Sequence, residues 1–158
     1  MTLLQLVTIL LLSPSPLGEH KIAMPLAIGW GLDPITAWAI CISLNMISPP
    51  LIWWFLQNVN HKLIRFDTYR KYAFKLARYS KKKLGNGVDK YGFWGIMIFI
   101  MIPLPMTGSY TGLVAAWMVG LHKKPALLSA FLGLILSSVI MLAVIQLFGL
   151  EMAKSIFG

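Results

Sequence analysis

Apolar residues run along the chain in four long tracts, divided by short polar breaks and one long basic stretch. Two tracts are unbroken by charge. Residues Ile35–Gln57 and Pro125–Phe148 contain no Asp, Glu, Lys or Arg. At about 1.5 Å per residue each reaches roughly 35 Å, enough for a bilayer core of about 30 Å, so each predicts a transmembrane helix. The tracts Met1–Leu32 and Tyr91–Leu121 differ: an apolar piece, a proline-rich break, then a second short apolar piece. The breaks are Ser13-Pro14-Ser15-Pro16-Leu17-Gly18 and Pro103-Leu104-Pro105-Met106-Thr107-Gly108. Proline removes a backbone donor and disfavours helix in the residue before it, so each tract predicts a re-entrant helical hairpin with the break at its tip. Met1 to Leu12 has the length of a signal core. No positive charge precedes it and no small-x-small site follows, so it reads as structure.

The two halves repeat. A shift of 89 residues lays Pro14 on Pro103, Pro16 on Pro105, Gly31 on Gly120 and Leu32 on Leu121, and two further residues bring Pro34 onto Pro125. The predicted organisation is repeat 1 over residues 1–57 (hairpin 1–32, transmembrane helix 34–57), a linker over 58–90, and repeat 2 over 91–158 (hairpin 91–121, transmembrane helix 125–148). The fold class is all-α and integral to the membrane.

Composition agrees, with 58% of residues hydrophobic and 12% charged where a soluble domain carries roughly a quarter. Fourteen Lys and Arg against five Asp and Glu give a formal charge of +9, and ten of the fourteen fall between Asn58 and Lys90. The positive-inside rule makes that linker cytoplasmic. If each broken tract is a hairpin that returns to its own side, His122-Lys123-Lys124 is also internal and both termini are external. If each tract crosses fully, the termini are internal and the molecule is a four-span bundle. The charge count favours hairpins, and hairpins place the two repeats in opposite orientations with their tips meeting near the midplane, an inverted-repeat plan. The expected location is the cell membrane, multi-pass. Within the linker Lys71, Lys75, Arg78 and Lys82 recur at helical spacing opposite Tyr69, Tyr72, Ala73 and Leu76, which predicts a basic amphipathic helix on anionic headgroups. Nothing resembles a nucleic-acid module, and the one cysteine, Cys41, leaves no disulfide or multi-cysteine metal site.

Glu19 and Lys21 are the ionisable side chains that matter inside the predicted membrane, because charge at such depth is costly and usually lines a polar pathway. Two positions apart on a helix they do not face each other, so each is expected to have another partner. The alternative is a shallow tip at which Lys21 snorkels and Glu19 caps the following helix. At the second tip Thr107, Ser109, Tyr110 and Thr111 supply hydroxyls and Gly108 and Gly112 permit close contact. Two half-helices starting near the midplane aim positive dipole ends and free N–H groups into one cavity, which favours an anion, and Lys21 adds a full charge. Glu19 beside it would carry a proton or cation. Ser129, Gly133 and Ser137 form one small-residue stripe, and Ala37, Cys41 and Asn45 another; both read as packing seams, with Asn45 able to reach a ligand.

The stretch Gly18-Glu19-His20-Lys21-Ile22-Ala23-Met24-Pro25-Leu26-Ala27-Ile28, followed by Gly31-Leu32-Asp33-Pro34, and the later Pro103–Gly112 resemble the family called putative small multidrug export proteins, itself distantly related to the DedA membrane proteins. In that family the first motif reads Glu-x-Arg followed by an apolar pair and Pro. Here Lys21 stands where Arg is usual, keeping the charge without the planar fork, and Pro25 is retained. Met106 and Tyr110 stand where the second motif commonly has Gly and an aromatic. The resemblance implies a membrane transporter, and the wider superfamily implies paired re-entrant hairpins that move lipids, some of them polyprenyl phosphates. The candidate substrate- or ion-binding residues are Glu19, Lys21, Pro25, Asn45, Pro103, Pro105, Thr107, Ser109, Tyr110 and Thr111.

The leading expectation is therefore a transporter or flippase for an amphipathic anion such as a lipid-linked phosphate, coupled to a proton or cation. The alternatives are an exporter of lipophilic cations, with Glu19 as counter-charge and Trp30, Tyr110 and Trp117 as aromatic faces, and a non-transporting scaffold worked by the basic helix. No nucleophile, base and orienter set is visible, which argues against an enzyme, and no cofactor is expected. The expected partners are membrane lipids, the substrate, the coupling ion and, for so small a unit, a second copy in a homodimer.

Overall fold

The computed structural model describes residues 2–15, 18–63, 88–103 and 108–149. Among the described residues seven helices follow in order: α1 (Leu3–Leu12), α2 (Glu19–Gly29), α3 (Pro34–Asn45), α4 (Ser48–Leu63), α5 (Val88–Met101), α6 (Ser109–Met118) and α7 (Lys123–Phe148). No strand occurs among the described residues. Two stretches of 25 residues, Pro34–Asn58 and Lys123–Leu147, are long and apolar enough to cross a membrane. The predicted basic helix, with Lys71, Lys75, Arg78 and Lys82, lies outside the described residues, as do Pro105 and Thr107.

The helix ends follow from local chemistry. Thr2 and Gln5 close a capping box on α1. Pro14 cannot continue the ladder, so the Ser15 N–H turns back to Leu12 O at 3.1 Å and the Ser15 hydroxyl joins it at 2.8 Å. Gly18 then lets α2 start directly against the end of α1, since a Cβ there would lie 2.5 Å from Leu12 Cγ. α1, α2 and α6 have 10, 11 and 10 residues. At about 1.5 Å per residue each covers roughly half of a 30 Å core.

The ends of α2 and α6 match down to the individual hydrogen bond. α2 ends with Gly31 at φ +91° and Leu32 N–H on Ala27 O at 3.1 Å; α6 ends with Gly120 at φ +81° and Leu121 N–H on Ala116 O at 2.9 Å. Both are Schellman closures, and glycine occupies the left-handed position in each. The next helices start alike, with Ala37 N–H on Asp33 O and Ala126 N–H on His122 O. Every pair is 89 residues apart, so the register passes unbroken into α3 and α7. The two-residue slip that aligns Pro34 with Pro125 is not part of the structure, because the matched feature is the cap and not the proline.

The apolar stretch from Ile35 to Gln57 is not one rod. It is interrupted at Met46–Ile47, where Pro49 and Pro50 withdraw two successive helical donors and α4 begins at Ser48. α7 runs uninterrupted for 26 residues, about 39 Å. It carries both halves of the core. Ala126, Ala130 and Leu134 of α7 pack with Ile96, Ile100, Leu113, Ala116, Ile52 and Trp53. Met141 and Ile145, farther along α7, pack with Ile9, Ala23, Met24, Ala27, Ala37 and Cys41. The small stripes are the seams: a Cβ on Gly133 would meet Ile100 Cβ at 2.8 Å and Met97 O at 2.9 Å, and Ser129, Ser137, Ala37, Cys41 and Asn45 are fully buried. The outward faces of α1 and α7 expose Leu3, Leu4, Leu11, Leu128, Leu132 and Val139, as suits contact with lipid.

Candidate functional site: a buried carboxylate at the junction of the two hairpins

Glu19 is the first residue of α2 and Ser109 the first of α6, and they meet. Glu19 Oε1 accepts the Ser109 backbone N–H at 2.8 Å and the Ser109 hydroxyl at 2.8 Å. Glu19 thus caps a helix that starts 90 residues later, satisfying an N–H that has no partner within α6 and placing negative charge on its positive dipole end. Two features make room. Glu19 has φ +43°, a strained left-handed backbone for a side chain of this size. Gly108 has no Cβ, and one built there would fall within the Glu19 carboxylate. Lys21 Nζ stands 4.0 Å from Glu19 Oε2, an attraction between charges at the edge of contact. Helical spacing separates positions 19 and 21, but Glu19 is not helical in φ, and that turns its carboxylate towards both Lys21 and α6. Glu19 is 4% exposed and Lys21 7%.

A second contact joins the hairpins, for the Tyr110 hydroxyl donates to the Pro14 carbonyl. The Ser48 hydroxyl donates to the same carbonyl at 3.3 Å. Broken helices leave carbonyls without ladder donors, and here α4 and α6 supply them. The neighbouring Ser13 carbonyl is met by Asn45, whose amide satisfies its surroundings in one orientation: Nδ2 donates to Ser13 O at 3.0 Å, and Oδ1 accepts from the His20 backbone N–H at 3.1 Å and from His20 Nδ1 at 2.8 Å. With the ring proton on Nδ1, His20 Nε2 accepts from the Ser137 hydroxyl at 3.1 Å. His20, Asn45 and Ser137 are fully buried. Together they tie α2 to α3 and α7.

The sequence-derived residues divide accordingly. Glu19, Lys21, Ser109 and Tyr110 come together at the junction. Asn45 lies one layer behind and is engaged with His20 and Ser13. Thr111 Oγ1 accepts from Gly108 N–H at 3.1 Å, capping its own helix. Pro25 is buried inside α2, where its ring cannot donate the helical bond to the Lys21 carbonyl. Pro103 is buried at the end of the described part of the second tip. The Ser109 N–H of α6, expected to be open to an anion, is held by Glu19. His20 and Ser48 are constituents that pattern reading missed, while Ser137 reads in the sequence only as part of a packing stripe and Pro14 only as a helix break. Among the described residues no group of three His, Cys, Asp or Glu is placed to hold a metal ion.

One family model, described as putative small multi-drug export protein, matches residues 19–140, which span the junction from Glu19 to beyond Ser137. The chain belongs to that family. Its description makes the protein a membrane transporter of the small multidrug export class, in keeping with two candidate spans and a lipid-suited surface. No curated protein and no solved structure matches the chain.

Proposed function

We propose that this member of the small multidrug export family moves an amphipathic anion, of the class of a lipid-linked phosphate, with a proton as coupling ion. The observation that carries the reading is the Glu19 carboxylate seated on the Ser109 N–H and hydroxyl beside Lys21. An anion and this carboxylate want the same donors. Protonating Glu19 removes its charge and weakens its hold on them, after which a phosphate takes Ser109 and Lys21 and the proton stays on Glu19. Anion and proton are then carried together. The two contacts between hairpins, Glu19 to Ser109 and Tyr110 to Pro14, are the parts that such a cycle opens and closes.

The arrangement proposed for the bilayer is the inverted one: each hairpin re-entrant, the tips at mid-depth, the basic linker cytoplasmic and the termini external. In support, the limbs α1, α2 and α6 are half the length of a span, and the matched caps are 89 residues apart. From Glu19 and Ser109, α2 packs with the later part of α7 and α6 with its earlier part, as two half-helices diverging from a shared start would.

The test is exchange of a fluorescent short-chain polyprenyl phosphate between leaflets of liposomes holding the purified protein. Exchange is expected with wild type, and Lys21→Ala is expected to slow it by about tenfold or more, the loss of a partly desolvated charge contact. Equal rates in empty and protein-containing liposomes would sink the reading. The family description favours a second one, export of lipophilic cations with Glu19 as counter-charge. Uptake of a lipophilic cation that Glu19→Gln abolishes and Lys21→Ala leaves intact would select it.

A further inference from the structure

Glu19 keeps a left-handed backbone, φ +43°, that a side chain of its size does not hold unaided. Two peptide groups flank its Cα, and each is pinned by a hydrogen bond to a different part of the fold. The peptide before it is held where the Glu19 N–H donates to Ser15 O at 3.2 Å, inside the first tip. The peptide after it carries the His20 N–H, one of the first donors of α2 and so without a partner in its own helix. That N–H donates to Asn45 Oδ1 at 3.1 Å, and the same amide turns its Nδ2 to Ser13 O at 3.0 Å. Asn45 thus spans the proline break, joining the end of α1 to the start of α2. It is fully buried and is the last residue of α3, set just before the turn into α4.

We infer that Asn45 is a positioning residue for Glu19: by holding the His20 peptide it fixes the Glu19 backbone, and that backbone aims the carboxylate at Ser109. The inference rests on the proposed function for what Glu19 does in transport, but on the hydrogen bonds alone for where Glu19 points. The two helix starts are met differently. His20 and Ser109 stand 89 residues apart, in the register of the two closures, and each offers a backbone N–H in the first turn of a short helix. Both donors are met by a side chain from another helix, the His20 N–H by a neutral amide and the Ser109 N–H by an ionisable carboxylate. A proton can loosen the second cap but not the first. The start of α2 therefore stays sealed while the start of α6 opens to an anion, and Asn45 is the fixed side against which Glu19 moves. In the second repeat the position 89 residues after Asn45 is Leu134, buried and apolar, so the start of α6 has no equivalent amide there.

The experiment uses the full chain in phosphatidylcholine nanodiscs and dicyclohexylcarbodiimide, a lipid-soluble reagent that modifies a carboxyl group once it is free of its donors. Peptide mass spectrometry reads the rate of modification at Glu19. Asn45→Leu, close in volume and without the amide, is expected to raise that rate about tenfold, the effect of losing one buried bond that held the strained form. Asn45→Asp keeps an oxygen for the His20 N–H and is expected to stay within about twofold of wild type. Trp38→Phe removes a different tie between α3 and α7, the 3.0 Å bond from Trp38 Nε1 to Ser138 Oγ, and is expected to leave the rate unchanged. An unchanged rate in Asn45→Leu, or an equal rise in Asn45→Asp or Trp38→Phe, overturns the assignment, since Glu19 would then answer to any loosening of α3. Should Asn45→Leu fail to fold, Asn45→Ala takes its place with the same expectation. The variants are also read in liposomes for protons moved per polyprenyl phosphate, a ratio that Asn45→Leu is expected to lower and Trp38→Phe to keep; a ratio unchanged in Asn45→Leu overturns the role in coupling. If modification follows the expected order while no protein, wild type included, moves phosphate, the positioning role stands and the proposed function falls.

Discussion

Glu19 is the one non-glycine residue with a positive φ among the described residues, and the strain is located where the carboxylate crosses to another helix. That coincidence makes Gly108 as informative as Glu19. Gly108→Ala is expected to expel the carboxylate and to reproduce the transport defect of Glu19→Ala, whereas Glu19→Gln keeps an acceptor for Ser109 and should remain folded while moving substrate without the proton. Parallel assays of substrate and proton movement for the three variants check this: uncoupled movement in Glu19→Gln and near-zero activity in the other two. His20 makes a separate demand. His20→Ala leaves Asn45 and Ser137 without their buried partner, which costs about 1–3 kcal/mol per stranded group. Thermal unfolding in detergent should report that loss with the chain otherwise able to insert. The ionisable pair was legible because charge is rare in so apolar a tract. The network behind it was not, since His20 meets Asn45 and Ser137 at separations of 25 and 117 residues that no periodicity reveals.

Helix ends carried more of the fold than helix faces. The proline breaks announce where α1 ends, because a missing N–H acts at one position whatever the surroundings. The same logic applies at Pro49-Pro50, yet that stretch reads as a continuous span when judged by absence of charge, a criterion blind to lost donors. Repetition was legible from Gly31 and Gly120 because a left-handed closure admits little else. A Cβ at either position meets nothing within 4 Å, so Gly31→Ala and Gly120→Ala test backbone conformation alone. Each should cost about 1–2 kcal/mol by thermal unfolding, with Asn at the same positions costing less. A larger loss at one site than the other would mean that the two closures are not equivalent elements. Gly133 is a different case: a Cβ there would press on Met97 O and Ile100, so Gly133→Val should part α5 from α7 and lower the unfolding temperature further than either closure variant.

For the molecule as a whole, two short hairpins laid on one continuous helix meet at a carboxylate, which in the proposed cycle competes with an anion for the start of α6. The membrane arrangement proposed for it puts both termini on the outer face. Cysteines introduced at positions 2 and 158 should react with an impermeant maleimide in intact cells, and protection of both would return the broken tracts to full crossings. The coupling itself is open to one direct measurement: proton movement into liposomes when a gradient of short-chain polyprenyl phosphate is imposed, followed with an internal pH-sensitive dye. Wild type is expected to acidify the lumen in step with the phosphate, and Glu19→Gln to move phosphate without the proton. Acidification that is the same in Glu19→Gln, or that requires a lipophilic cation in place of the phosphate, would contradict that coupling.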